Sequence, residues 1–487
     1  MADRLLADYS LTRLYDEMMA AGRQPRAEYA RLYKRLAALP GAEMTRRHDL
    51  AQRSFKSHGI TFTVYQDDQG IEKIFPFDLV PRIIPARTWQ RLEAGLQQRV
   101  HALNLFLEDI YGRRQILRDH AISAEIVLSS RLFRRELNGF PFPHGIHCHI
   151  AGIDLIRDER GEFRVLEDNL RTPSGVSYML ANRQVLKRVF PELFGGYRVR
   201  PVDGYSHQLL MNLRWLARPE VEDPVVAILT PGIYNSAYFE HVYLAKQMGV
   251  ELVEGSDLMV DRDRVFMRTT QGLRQVHVIY RRVDDDWLDP VHGRPDSVLG
   301  TPGLLNAYRA GGVILANAPG NGVADDKAVY ALVPAIIRYY LREDPILPNV
   351  QTFLCANEKE RHHVLAHMRE MVVKAVGESG GYGMLMGPAA SGAEIERFKR
   401  RIEARPRDYI AQPVIGLSVQ AAFDGHSLVP RHQDLRPFVL TGEQVTVTPG
   451  GLTRVALRKG SLIVNSSQGG GSRDTWVLAA EGQEAEG

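Results

Sequence analysis

The sequence predicts a mixed chain, part α/β and part α+β, and three patterns carry that reading. Residues 152–169 alternate as a β-hairpin with polar side chains on one face, residues 225–253 read strand, helix, strand, and residues 88–111 keep the rhythm of one long packing helix. At 487 residues, 44% hydrophobic and 24% charged, the chain is globular and long enough for two or three domains. A formal net charge of +3, with bases interspersed among acids, gives no electrostatic footprint for nucleic acid or membrane, and neither is an expected partner. Two cysteines, Cys148 and Cys355, are too few for a disulfide framework. The start Met1-Ala2-Asp3-Arg4 lacks a secretory pattern and no apolar stretch reaches spanning length, so a soluble cytoplasmic protein is expected.

Residues 11–39 are helical by apolar spacing, and Ile60–Tyr65 reads as a strand before an Asp67-Asp68-Gln69-Gly70 turn. Thr88 can cap a helix in which Leu92, Leu96, Val100, Leu103, Leu107 and Ile110 share a face before Gly112. His147-Cys148-His149 puts two histidines on one strand face. No further Cys or His stands at ligand spacing, so it reads as the strand entering the hairpin and not as a zinc site.

In the hairpin, Ile153/Leu155 and Val165 onward mark two strands, and Asp158 to Gly161 supplies the turn. With an even turn, Asp154 lies opposite Val165, and Glu167 and Asn169 follow at two and four positions on the same face. Hard divalent cations take such oxygen ligands, and magnesium uses one or two protein carboxylates beside water and substrate phosphates.

Val225 to Thr230, a helix from about Ala237 to Gly249, and Val250 to Val253 form a βαβ unit, the basis of a Rossmann-like substrate domain over residues 222–320. Asn317 to Gly322 reads as a linker or lid. Lys327 stands in a first helical turn where it can reach a phosphate, with Asp325 a candidate N-cap, and Pro334 should kink or restart that helix. Lys374 sits in an apolar run that breaks into Gly377-Glu378-Ser379-Gly380-Gly381. Such glycines let backbone N–H groups approach a polyphosphate, and Glu378 among them is a candidate further metal ligand. Tyr409 to Ile415, with Gln412, is an apolar strand that reads first as core and also suits an adenine slot. The resulting division is an N-terminal segment 1–120, a part carrying the hairpin 121–221, the substrate domain 222–320, a lid and core 321–477 and a solvated tail 478–487.

Together these elements resemble an ATP-grasp ligase of the circularly permuted kind related to glutathionylspermidine synthase and eukaryotic glutathione synthetase. The resemblance rests on Asp154 with Glu167-x-Asn169, on Lys374 followed by Glu378-Ser379-Gly380-Gly381, and on Arg454 leading to Gln468-Gly469-Gly470-Gly471. In ordinary ATP-grasp chains the Glu-x-Asn element comes after the lysine and glycine loop, and here it comes first. Glu167 to Tyr178, Thr230 to Glu240 and Asn465 to Trp476 look closer still to the circularly permuted ATP-grasp type 2 family.

The resemblance implies a circularly permuted, glutathione synthetase-like fold binding ATP and Mg2+. Asp154, Glu167, Asn169 and Glu378 would hold the metal and phosphates, and Lys327, Lys374, Gly380, Gly381 and Gln412 would contact ATP. Arg282 and Arg454 match the places where relatives bind an acceptor's carboxylate, and Arg171 is a candidate for holding the substrate carboxylate or the acyl phosphate. After Asn169, Arg171 and Pro173 replace the small hydroxylated residues of those relatives, so the implied acceptor is not glutathione or its precursor. The implied activity is ATP-dependent joining of a carboxylate to an amine through an acyl phosphate, on small molecules, a short peptide or a peptide end of a partner protein. An ATP-dependent phosphotransferase and an inactive nucleotide-binding scaffold are the alternatives.

Overall fold

The structure is a computed structural model that describes residues 5–6, 9–66, 69–377, 383–457, 464 and 470–480. A ribbon of β1 (Thr61–Gln66) and β2 (Gln69–Ile74) leads into β3 (Phe77–Ile84) and the long helix α1 (Ala86–Tyr111). The metal-face hairpin is β4 (Ile150–Arg157) and β5 (Phe163–Asn169), and α2 (Val176–Val189) follows it. The βαβ unit is β6 (Val226–Leu229), α3 (Tyr238–Met248) and β7 (Glu251–Val253), extended by β8 (Val278–Arg281) and β9 (Ile314–Ala316). Helix α4 (Lys327–Leu341) connects to a second half of β10 (Phe353–Leu354), β11 (Met371–Ala375), β12 (Leu385–Met386) and β13 (Tyr409–Pro413). Then come β14 (Phe438–Thr441), β15 (Val445–Val447), β16 (Thr453–Val455) and β17 (Gly471–Val477).

Four sheets position the site. The hairpin forms an antiparallel sheet of order β15-β14-β4-β5, and β10-β13-β11-β12 makes a second antiparallel sheet. The order β9-β8-β6-β7 is entirely parallel, the Rossmann-like arrangement expected from the strand–helix–strand pattern. In the last sheet, β17 pairs antiparallel with β16 and parallel with β3. Helix α1 buries Leu92, Leu96, Val100, Leu103, Leu107 and Ile110, the predicted face. It begins at Ala86 behind Pro85, whose fixed backbone stands at the N-cap, instead of being capped by Thr88.

Three segments depart from the sequence expectation. In residues 11–39 only Ala30–Ala38 is α-helical. The buried Asp16 carboxylate accepts from Met18 N, Met19 N and Tyr9 Oη, and Glu17 N–H donates to Val419 O, so local side-chain bonds and a distant strand replace a helix. Asn317 to Gly322 is buried, neither linker nor lid. Asn317 Oδ1 accepts from His149 N and Ile150 N, and its Nδ2 donates to Ile150 O. Helix α4 runs unbroken through Pro334. Proline removes the N–H that would bond Tyr330 O, and Asn349 Nδ2 takes that carbonyl at 2.9 Å. Asn349→Leu should therefore cost about 1–3 kcal/mol by stranding the carbonyl, read as a lower urea midpoint than Asn349→Gln.

Candidate active site

The β4–β5 register sets out the site. Asp154 pairs with Glu167 and Gly152 with Asn169, while Leu155 pairs with Val165, so Leu166 is an extra residue and the ladder bulges there. The loop of residues 158–162 is odd in length, organised by Asp158 Oδ1 accepting from Arg160 N and Glu162 N. Asp154 therefore faces Glu167 and not Val165. Directly opposed residues share a sheet face, so Asp154, Glu167 and Asn169 remain on one side.

Their surroundings differ. Asp154 is fully buried, accepting from Arg436 Nε at 2.5 Å and Nη2 at 2.8 Å and from Arg454 Nη2 at 2.7 Å. Burial alone would raise its carboxyl, but the Arg436 and Arg454 guanidinia hold it well below the usual carboxylate range. Both oxygens of Asp154, expected from the sequence as a metal ligand, accept from guanidinium donors. Arg454 also donates to Asp434 through Nε at 2.9 Å, and Arg436 Nη1 donates to Ser174 O. Glu167 is less enclosed: its side chain keeps 28% exposure and stands 3.8 Å from Lys327 Nζ. Asn169 Nδ2 is buried with no hydrogen-bond partner among the described residues.

Two cations approach this face from other elements. Lys327 opens α4, whose N-cap is Asp326, with Oδ1 accepting from Ala328 N at 2.8 Å. Asp325, the cap expected from sequence, instead accepts from Leu170 N and from Arg171 Nε at 2.8 Å. Lys374 projects from β11. Burial lowers its ammonium from the ordinary lysine value, Glu167 and Asp154 work against that, and Lys327 adds to it.

Two cavities meet these groups. The smaller, about 140 Å³, lies between the hairpin and the second antiparallel sheet, lined by Ile156, Leu166, Val372, Lys374, Met386 and Gln412 among others. It is an apolar slot with a lysine in its wall, and Gln412 Nε2 donates to Thr352 Oγ1 at 3.0 Å at its edge. The larger, about 360 Å³, is lined by Glu167, Asn169, Arg171, Lys327, Arg436 and Arg454, by residues 172–175, and by Phe62, Phe75 and Tyr178.

Arg171 reaches this cavity, held by Asp325 and 3.6 Å from Asp284. Arg282 does not line it, contrary to expectation. It is buried behind the wall, donating to Pro173 O at 2.7 Å, to Tyr280 Oη at 2.9 Å and to Ser174 Oγ, with Glu240 as its acid partner at 3.3 Å. The sequence reading missed Arg436, Asp434 and Glu240. The first two carried a signal: Asp434-Leu435-Arg436 alternates charge, apolar, charge, as a strand with one charged face would. Glu378, Gly380 and Gly381 lie outside the described residues, as do Gln468 and Gly469.

Among the described residues no cluster of three or more His, Cys, Asp or Glu could hold a metal ion. Magnesium does not require one, since one or two carboxylates suffice when substrate phosphates complete the octahedron. A partly open Glu167, an unpartnered buried amide on Asn169 and two nearby lysines fit a magnesium-bound polyphosphate.

Comparison with known proteins bears on the family and the fold. The family model described as circularly permuted ATP-grasp type 2 matches residues 81–456. An uncharacterized protein of Synechocystis is 54% identical over 98% of this chain and 100% of its own length. A Frankia casuarinae protein named "Putative glutamate--cysteine ligase 2-2" is 42% identical over 98% of this chain, which spans 55% of that relative. Among solved structures, a glutathione synthetase-like effector of Globodera pallida in apo form superposes with a TM-score of 0.59 at 12% identity, covering 90% of this chain and 98% of that one. No helix among the described residues is long and apolar enough to cross a membrane.

Proposed function

The chain belongs to the circularly permuted ATP-grasp type 2 family, and from that premise we propose that it joins a carboxylate to an amine at the expense of ATP, as glutathionylspermidine synthase-like ligases do. The observation that carries this reading is an apolar slot with Lys374 in its wall beside a cavity lined by Lys327, Glu167 and Asn169, with Lys374 in electrostatic reach of Glu167 and Lys327. The slot takes the adenine ring. Lys374 and Lys327 would hold the phosphates and Glu167 and Asn169 would hold Mg2+, with Glu378, outside the described residues, the further ligand expected from the sequence. The metal's contribution is to neutralise charge on the transferring phosphoryl group.

A carboxylate oxygen of the acid attacks the γ-phosphorus and ADP leaves. The amine nitrogen then attacks the acyl carbon, phosphate leaves and the amine gives up a proton. Arg171 and Arg454 flank the place where the acid's carboxylate arrives, and Arg436 keeps Arg454 and Asp154 in register. No protein nucleophile is needed, which suits a site of guanidinium, ammonium, carboxylate and amide groups. The name of the Frankia relative makes glutamate one acid to test.

The thermal midpoint should rise with magnesium and ATP together and not with either alone, by the equivalent of about 2.7 kcal/mol at 100 times the dissociation constant. Glu167→Gln and Lys374→Met should each lose the rise. In the same samples hydroxylamine, acting as the amine, should convert a turned-over acid to its hydroxamate. A stable phosphorylated product that needs no amine would instead identify a phosphotransferase. A rise with neither hydroxamate nor phosphorylated product would leave a nucleotide-binding scaffold, and no rise at saturating nucleotide would overturn the nucleotide site itself.

A further inference from the structure

The large cavity has an apolar side that the ligase chemistry does not require. Phe75 and Tyr178 stack with ring centroids 4.2 Å apart and 23° between planes, and Phe62 stands edge-on to them at 6.2 Å and 6.3 Å. Phe75 and Tyr178 are each 2% exposed, whereas Phe62 is only half-buried, so Phe62 presents the surface of this wall to the cavity. Rings stacked on each other have spent those faces, which argues against an aromatic cage for an ammonium group and for a plain apolar contact.

The wall is built from both sides of the matched boundary, with Tyr178 inside the matched region and the two phenylalanines ahead of it. Phe62 lies in β1, Phe75 directly follows β2, and among the described residues these two strands pair only with each other. Both phenylalanines precede residue 81, where the family match begins. Tyr178 Oη donates to Thr61 O at 2.8 Å, which pins the base of the ribbon to α2. The same cavity carries the guanidinium groups of Arg171, Arg436 and Arg454.

We propose, resting on the ligase reading, that Phe62 determines specificity and that the acid is a monocarboxylate with an aromatic or branched apolar body packed against it. Its carboxylate meets the guanidinium side while its body covers the wall. A dicarboxylic amino acid such as glutamate brings too little apolar surface to cover the wall and so gains little from Phe62.

The test is calorimetric binding of 3-phenylpropionate, propionate and glutamate to the whole protein with magnesium and ADP, alongside hydroxamate formation with ATP and hydroxylamine. Wild type should bind 3-phenylpropionate about 10- to 100-fold more tightly than propionate or glutamate, the gain from burying one phenyl group. Phe62→Ser should erase that preference and Phe62→Leu should retain most of it, both keeping the nucleotide-dependent thermal rise. Equal or tighter binding of propionate or glutamate, or a preference that survives in Phe62→Ser, overturns the proposal. If Phe62→Ser does not fold, the wild-type ranking alone decides. An intact preference without any hydroxamate sinks the ligase reading while leaving the apolar subsite in place.

Discussion

Asp154→Asn is expected to lower stability by about 3–5 kcal/mol, the range for breaking a buried ion pair from one side. Asn has nearly the same shape, so little of this comes from packing. The loss comes from charge and from one acceptor: the new amide oxygen can still accept, but its NH2 faces guanidinium donors, Arg436 loses its acid partner and Arg454 keeps Asp434 alone. Urea titration of the whole protein should show the change in midpoint. The variant should also alter the acid limb. The native Asp154 carboxyl sits well below its ordinary value, so near pH 3 the unfolded chain binds a proton there that the native one does not. Its contribution is thus fully present above the unfolded value of about 3.9 and is lost as pH falls toward the native one. Asp154→Asn should lose stability less steeply between about pH 5 and pH 2 than wild type. A parallel acid limb would show that the carboxylate does not carry this charge balance.

Glu240→Ala should be of similar size, about 3–5 kcal/mol, for a different reason. One Glu240 oxygen accepts from Gly175 N, Ser177 N and Ser177 Oγ at 2.8–3.0 Å, and the other faces Arg282. Removing it strands the first amides of α2 and leaves a buried guanidinium without its acid. Because Arg282 also grips Pro173 O, the wall of the large cavity loosens too, and a shift of about 1 Å there can cost 100-fold in turnover. Adding Arg282→Leu should restore part of the stability, since the uncompensated charge is gone. The double variant should keep the magnesium–ATP thermal rise, because neither residue lines the apolar slot proposed for the nucleotide. Loss of that rise would place Arg282 in direct contact with the phosphates.

What could be read from the sequence follows the range of the forces involved. The buried face of α1 and the strand–helix–strand unit were legible because apolar spacing is local and nothing nearby competes with it. The hairpin was legible as a hairpin, but not in register: an odd loop organised by Asp158 and the bulge at Leu166 each shift the pairing by one. Together they return Glu167 and Asn169 to the face of Asp154, which is why the site residues converge despite the wrong register. Arg436 lies 282 positions from Asp154, and only the fold brings them together. A separation of 42 positions likewise hid the role of Arg282, whose acid is Glu240 on α3. In residues 11–39 apolar spacing lost to one side chain, Asp16, that offers the backbone a cheaper set of hydrogen bonds.

The pairing of β3 with β17 imposes an order on biosynthesis. These neighbours are separated by about 390 residues of intervening chain, so at about 5–20 residues per second β3 leaves the ribosome some 20–80 s before its parallel partner exists. During that interval Leu79, Val80, Ile83 and Ile84, all core residues in the finished protein, have an open edge and no neighbour on that side. A nascent chain stalled before residue 471 should therefore engage holding chaperones at this strand, and release of the full chain should end that engagement.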